Sequence, residues 1–290
     1  MKNLQVVAVL CMMLSMLAYQ ISASFAKQLI STLDPLTVTI LRLSFASILV
    51  AVMFRSWRII SKLKYLKWRD LLLYSAALGC MNILFYSSLG KLPQGIAVGL
   101  EFIGPLGLAL LSIKQGRDYL WVAFAILGIA LLVPWHSATQ HNFSYLGAAY
   151  ALGAGLCWAL YIYYGHRVVQ QQFGMHALTI AIALSALTLL PFGLWNNAPA
   201  LLDTQYWGKA LLIAILATAI PYALDLMALK KLSKLSYGTL SSLSPALAAL
   251  AGLLLLHEQI SGLQWFALLC IMVASIGVTF RREKSPPSSS

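Results

Sequence analysis

The sequence predicts an all-α membrane protein of ten transmembrane helices, built as two five-helix repeats of inverted topology with both termini cytoplasmic. Three observations carry this prediction. Apolar runs of membrane-spanning length recur from end to end, basic residues collect in alternate loops, and the chain aligns with itself at a shift of 140 residues.

The 290 residues are 60% hydrophobic and 10% charged. A soluble domain carries about 25% charged residues, so water is not the main solvent of this surface. A hydrocarbon core about 30 Å thick needs roughly 20 apolar residues per helix. Ten such segments are predicted, at 4–24, 35–54, 71–89, 95–113, 119–135, 146–164, 177–194, 208–228, 237–256 and 262–280. In the longest connection, 55–70, Trp57, Ile60, Leu63 and Leu66 are spaced among Arg and Lys as in a short amphipathic helix on the membrane surface. A solvated basic loop fits the same residues.

A net charge of +12 raises nucleic acid as a partner, but the distribution of the charge answers the question. With the N-terminus in the cytoplasm, the loops on that side hold 16 of the 20 Lys and Arg residues. That is the positive-inside pattern, which orients the chain in the lipid bilayer and removes the need for a nucleic-acid role. Cys11, Cys80, Cys157 and Cys270 stand alone in separate spans. They are expected to be small buried hydrophobes, with no disulfide framework and no metal site. The five histidines are scattered, and His136 and His141 in one outer loop are too few for a metal.

Over the 140-residue shift, LLLYSAALGCMNILFYSSLGKLP from Leu71 lies on LLIAILATAIPYALDLMALKKLS from Leu211, and Pro105 meets Pro245. Each half holds five spans. Because five is odd, the second half enters the membrane inverted, an architecture suited to alternating access with a site near the midplane. The expected units are residues 1–140 and 141–281, followed by a Pro- and Ser-rich tail, 282–290, expected to be disordered. ISASFAK, ending at Lys27, imitates a signal-peptide cleavage region. Lys27 aligns with Arg167 at the end of the first span of each half, so cleavage would leave the first repeat one helix short and is not expected.

A charge at the bilayer centre costs at least about 2.5 to 3.5 kcal/mol, so ionisable residues within spans need a reason. Glu101 and Arg42 lie at similar depth in spans four and two. An ion pair between them would neutralise both, either to orient two helices or to form a proton or substrate-ammonium site. The second reading weighs more, because isolated buried pairs stabilise little. Asp225, near the inner end of span eight, is either an interfacial acid beside Lys230 and Lys231 or a pathway residue. Glu258 is expected to cap the tenth span.

Pro105 and Pro245 each remove a helical hydrogen bond and kink spans four and nine. Freed carbonyls are tolerated only against protein or a water-lined cavity, so the cavity should adjoin these kinks, near Ser241. Trp158 can face a bound ammonium group, and Asn82, Tyr86 and Tyr222 are weaker candidates for the pathway. Tyr161, Tyr163 and Tyr164 fit an interfacial aromatic belt.

CMNILFYSS at 80–88, PQGIAVGLEFIGPL at 93–106, GAGLCWALYIYYG at 153–165 and AIPYALDLMALKKL at 219–232 resemble the threonine and homoserine exporter group of the EamA family, in the drug/metabolite transporter superfamily. The resemblance implies a multi-pass bacterial inner-membrane protein of ten helices that exports small amino acids, driven by the proton gradient. Other metabolites or drugs of the superfamily are the alternative cargo. One departure is Asp225, where the resemblance implies Glu. No GxxxxGK[ST] string is present, no cofactor is implied, and no nucleophile and base converge within the spans, which argues against an enzyme.

Overall fold

The computed structural model describes residues 2–58, 68–110, 119–132, 143–168, 174–232 and 234–284. Among them every regular element is helical. Seven stretches are long and apolar enough to cross a membrane: Gln5–Ile30, Pro35–Phe54, Trp68–Leu89, Tyr145–Val168, His176–Leu202, Thr204–Leu229 and Ser236–Leu256. Three shorter apolar stretches, Gln94–Leu108, Leu120–Leu132 and Gly262–Gly277, coincide with the remaining predicted spans.

In chain order the first five helices are α1 (Lys2–Ile30), α2 (Pro35–Phe54), α3 (Trp68–Leu89), α4 (Gln94–Glu101) and α5 (Ile103–Leu110). Then come α6 (Tyr119–Leu132), α7 (Tyr145–Val168), α8 (Gly174–Leu202) and α9 (Thr204–Ala214). The chain ends with α10 (Ile220–Leu229), α11 (Lys234–Ser241), α12 (Ser244–Leu256) and α13 (Gly262–Lys284). Local chemistry sets the boundaries. The Asp34 carboxylate accepts from the Thr37 amide at 2.9 Å with Pro35 in the first turn, a well-formed helix start for α2. At its other end Arg55 takes a left-handed φ of 52°, which lets its amide reach back to the last turn.

The predicted kinks in spans four and nine are breaks in the helical hydrogen-bond ladder within right-handed helical backbone, and span eight carries an irregular turn as well. Span four divides into α4 and α5 at Phe102, and span nine into α11 and α12 at Ser242 and Leu243. The prolines explain both breaks: Pro105 cannot donate to the Glu101 carbonyl, nor Pro245 to that of Ser241. In span eight a π-helical turn, Ile215–Ala219, separates α9 from α10 just before Pro221. Span seven runs further than predicted, to Leu202, through an irregular residue at Asn197 and two prolines, Pro191 and Pro199.

The helices associate in a regular way. α2 packs on α8, α4 on α12 and α6 on α13, while α3 packs on α7 and α1 on α10. Large apolar residues such as Leu10, Leu14, Leu156, Phe192 and Leu254 remain exposed around the outside, where a bilayer would meet them. Cys11 and Cys270 are buried as expected, but Cys80 is exposed and belongs to that outer surface. Most of the predicted surface helix, residues 59–67, lies outside the described residues, as do His136, His141 and residues 285–290 of the tail.

Small residues permit the tightest crossing. A Cβ on Gly104 would fall 1.8 Å from the Gly155 carbonyl oxygen, and one on Gly155 would fall 2.4 Å from that of Glu101. The α4/α5 break therefore rests directly on α7 backbone. Gly104→Ala is expected to cost about 1–3 kcal/mol through forced separation of the helices. Gly107→Ala, which meets nothing within 4 Å, should be neutral. Equal unfolding midpoints for the two variants in detergent would contradict so close a crossing.

Candidate functional site

The three helix interruptions converge on one cavity of about 250 Å³. Glu101 reaches it from the end of α4, Thr218 from the π-helical turn and Ser244 from the start of α12. That satisfies the requirement that irregular backbone within a membrane protein be buried against protein or line a cavity. Ser15, Tyr19 and Gln20 of α1 form one wall, Arg42 of α2 and Asn82 of α3 a second, and Trp158 and Tyr161 of α7 a third. Pro221, Tyr222 and Asp225 of α10 complete it. The volume is below the roughly 300–1,000 Å³ of pockets that take drug-sized ligands, so it suits a small solute.

Arg42 and Glu101 are 7% and 5% exposed and face the same cavity, but they are not joined. The expected direct ion pair is absent: among the described residues the carboxylate–cation contact within 4 Å is Lys27–Glu258. The Arg42 guanidinium instead donates to the Asn82 side-chain oxygen and lies 5.7 Å from the centroid of the Tyr86 ring. Asn82 is held in turn by its own amide, which donates to the Leu78 carbonyl at 2.8 Å. The Arg42 Nε is buried without a hydrogen-bond partner among the described residues. A guanidinium donates in a planar fork, a geometry that matches a carboxylate.

Trp158 packs edge-on against Phe102 at 5.9 Å, which fixes the indole at the cavity wall beside the α4/α5 break. Asp225 lines the cavity too, with Ser15 of α1, whose hydroxyl donates to the Pro221 carbonyl at 3.4 Å across the α1–α10 seam. Of the predicted site residues, the fold thus gathers Glu101, Arg42, Asn82, Trp158, Tyr222 and Asp225 around one space. Tyr86 stands behind Arg42 and does not line it. Ser241 is turned back into its own helix, donating to the Tyr237 carbonyl at 2.8 Å, and Ser244, past the break, takes the lining position. Pro105 and Pro245 act on the backbone, as expected.

Sequence reasoning missed Tyr19, Ser15, Gln20 and Thr218, and it placed Tyr161 in an interfacial belt. Tyr161 instead stacks on Tyr74 at 4.7 Å and lines the cavity. A signal was available for some of this wall. Arg42 and Ile182, Leu78 and Thr218, Met81 and Pro221, and Asn82 and Tyr222 are lining residues that each lie 140 positions apart. The repeat register, applied to Asn82, points to Tyr222 directly.

Glu258 also departs from expectation. It does not cap α13, whose start is held by reciprocal bonds between Ser261 and Gln264. Its Oε2 accepts from the Gln94 amide at 2.7 Å, at the start of α4, and its Oε1 lies 2.6 Å from Lys27 Nζ.

Residues 6–133 and 145–280 each match the EamA-like transporter family. The chain belongs to that family. This EamA protein is 39% identical over 279 residues to the threonine/homoserine exporter RhtA of Salmonella typhimurium strain SL1344, across 95% of this chain and 92% of that one. It is 38% identical over 278 residues to the RhtA exporter of Escherichia coli strain K12, with the same coverage. A solved crystal structure of a protein 17% identical in sequence superposes with a TM-score of 0.62 over 98% of this chain and 99% of that one, a likeness of fold. The relatives are transporters by name, so the EamA chain is a multi-pass membrane transporter protein and not an enzyme.

Proposed function

We propose that this EamA protein exports small amino acids of the threonine and homoserine kind across the bacterial inner membrane, exchanging them for protons by alternating access. The observation that carries the proposal is that Arg42 and Glu101 line one cavity without being joined. A zwitterion presents opposite charges a few atoms apart and needs opposite partners at similar spacing. Arg42 takes the carboxylate, and Glu101 takes the ammonium group with Trp158 beside it. Hydroxyls of Ser15, Thr218 and Tyr222 around the cavity suit a hydroxylated side chain.

A carboxylate this enclosed is best served by a cation, and a proton and the substrate ammonium are the two on offer. If they occupy Glu101 in turn, exchange follows without ATP. The packing supports two repeats, 1–140 and 141–281, in ten spans with both termini and the tail 282–290 in the cytoplasm. In the 140-residue register α2 and α6 each pack on their own counterparts, α4 of span four packs on α12 of the corresponding span nine, and α3–α7 and α1–α10 are exchanged contacts. That reciprocity is what a two-fold relation requires. An odd number of spans per repeat makes the relation an inversion.

The test is uptake into everted membrane vesicles, in which export appears as accumulation. With respiration acidifying the lumen, labelled threonine or homoserine should accumulate, and a protonophore should abolish it. The absence of saturable uptake for any small amino acid rules out the substrate class, and uptake indifferent to the protonophore rules out proton exchange.

A further inference from the structure

Away from the charges that face the cavity, a second polar cluster joins three parts of the chain that are remote in sequence. Lys27 lies in the last turn of α1, Gln94 begins α4, and Glu258 lies in the connection between α12 and α13. Glu258 is placed there by backbone geometry. His257 turns the chain with a left-handed φ of 54°, the Glu258 amide reaches the Gly252 carbonyl at 3.1 Å, and the carboxylate occupies the notch that Gly252 leaves. A Cβ on Gly252 would fall 2.3 Å from Glu258 Oε2. The carboxylate then bridges Lys27 Nζ and the first amide of α4, and Lys27 also donates to the Leu92 carbonyl. An anion at a helix start and a cation beside it are mutually reinforcing.

The cluster continues inward to the cavity. The Gln94 side chain, fully buried, donates to the Gln20 carbonyl at 2.9 Å and accepts from Ser24 at 2.8 Å, and Gln20 itself lines the cavity. Lys27 and Glu258 keep 22% and 13% side-chain exposure, so the cluster stands between the cavity and solvent at one end of the bundle. α4 is a single rigid piece of eight residues with Gln94 at one end and Glu101 at the other. It is bounded by the break at Phe102.

We propose that Lys27, Glu258 and Gln94 form a latch that closes the cavity on the side of the α12–α13 connection, the outer side in the topology above, and that α4 links the latch to the occupancy of Glu101. Cargo or a proton at Glu101 bears on the inner end of α4, and movement there is felt at its outer end, where one ion pair and one helix-start bond hold the two halves together. Because the pair joins the first half to the second, opening toward the outside has to break it. The proposal takes its direction from the exporter function but does not depend on which solute is carried.

The experiment reads access without a substrate. Met81, in the cavity wall, is replaced by cysteine in a chain from which Cys11, Cys80 and Cys157 are removed, and a membrane-impermeant maleimide is applied to the outer face of spheroplasts. Buried Cys270 is retained as an internal reporter of unfolding. Glu258→Gln keeps the helix-start bond and loses the ion pair, and Lys27→Met removes the cation. Each should raise the Met81→Cys labelling rate by about tenfold, the factor that a modest shift in a two-state equilibrium produces. Lys27→Arg should leave it at the starting rate. Unchanged labelling in Glu258→Gln and Lys27→Met overturns the latch, as does the same acceleration in Lys27→Arg. Acceleration shared by Cys270 also overturns it, since the cluster then holds the fold and not a gate. Vesicle uptake measured in parallel separates the two ideas: uptake with no change in access refutes the latch alone, and changed access with no amino-acid uptake refutes the substrate class alone.

Discussion

Arg42→Met is expected to raise the substrate concentration needed for half-maximal export by about a hundredfold, the equivalent of losing one charge-assisted hydrogen-bonded contact worth roughly 1.5–3 kcal/mol. The substitution removes the guanidinium that Asn82 and Tyr86 orient at the cavity wall. The fold should survive. Removing a buried charge relieves desolvation, and Met fills much of the stem's volume, so the loss of the Asn82 bond is partly offset. Arg42→Lys separates charge from geometry. It restores a cation at the end of a flexible stem but not the planar fork, and should recover only part of the affinity. The measurement is the concentration dependence of labelled threonine or homoserine uptake into everted vesicles, with unfolding midpoints in detergent alongside. An Arg42→Met protein with wild-type concentration dependence would show that the carboxylate is held elsewhere.

Much of this architecture was legible because the bilayer penalises exceptions so strongly. A carboxylate and a guanidinium within apolar runs stand out by cost alone, and Glu101 and Arg42 do face the cavity. Prolines are equally plain, because the missing N–H has a definite location. Pro105 and Pro245 mark two breaks, and Pro221 follows the third. What stayed hidden depends on rotation about helix axes and on contacts across long separations. Ser241 and Ser244 are equivalent by composition, and only the break at Ser242 and Leu243 decides that the second faces inward. Tyr161 has the same neighbours in sequence as Tyr163 and Tyr164, so nothing local distinguishes a cavity tyrosine from a belt tyrosine. Glu258 and Lys27 are 231 positions apart, and no periodicity announces a partner at such distance. Nor could depth alone distinguish a joined ion pair from the separated charges of Arg42 and Glu101. Similar depth is necessary for both, and the direction in which Asn82 draws the guanidinium settles it.

Glu101→Gln tests the coupling instead of the affinity. Glutamine keeps the shape and the hydrogen-bonding reach of the side chain at the end of α4, so the α4/α5 break, its crossing over Gly155 and the latch at Gln94 should all persist. What it cannot do is carry a charge that a proton and an ammonium group neutralise in turn. Net export driven by the proton gradient should fall by about a hundredfold or more, in line with losing an interaction of several kcal/mol at a desolvated site. Exchange of labelled for unlabelled substrate has a different requirement. It needs only that the loaded carrier reorient, with no return of a protonated form, so counterflow should continue at a reduced apparent affinity. Loss of gradient-driven uptake with counterflow retained would assign proton exchange to this carboxylate. Protonophore-sensitive export that survives in Glu101→Gln would move the coupling to another acid, and Asp225, lining the same cavity beside Ser15, is the side chain to substitute next. The two acids are distinguishable in advance by position. Glu101 belongs to the first repeat and has Ser241 as its counterpart, whereas Asp225 belongs to the second and has Phe85. Neither charge has an ionisable counterpart in the 140-residue register, so each acid is a single, asymmetric point that substitution can test by itself.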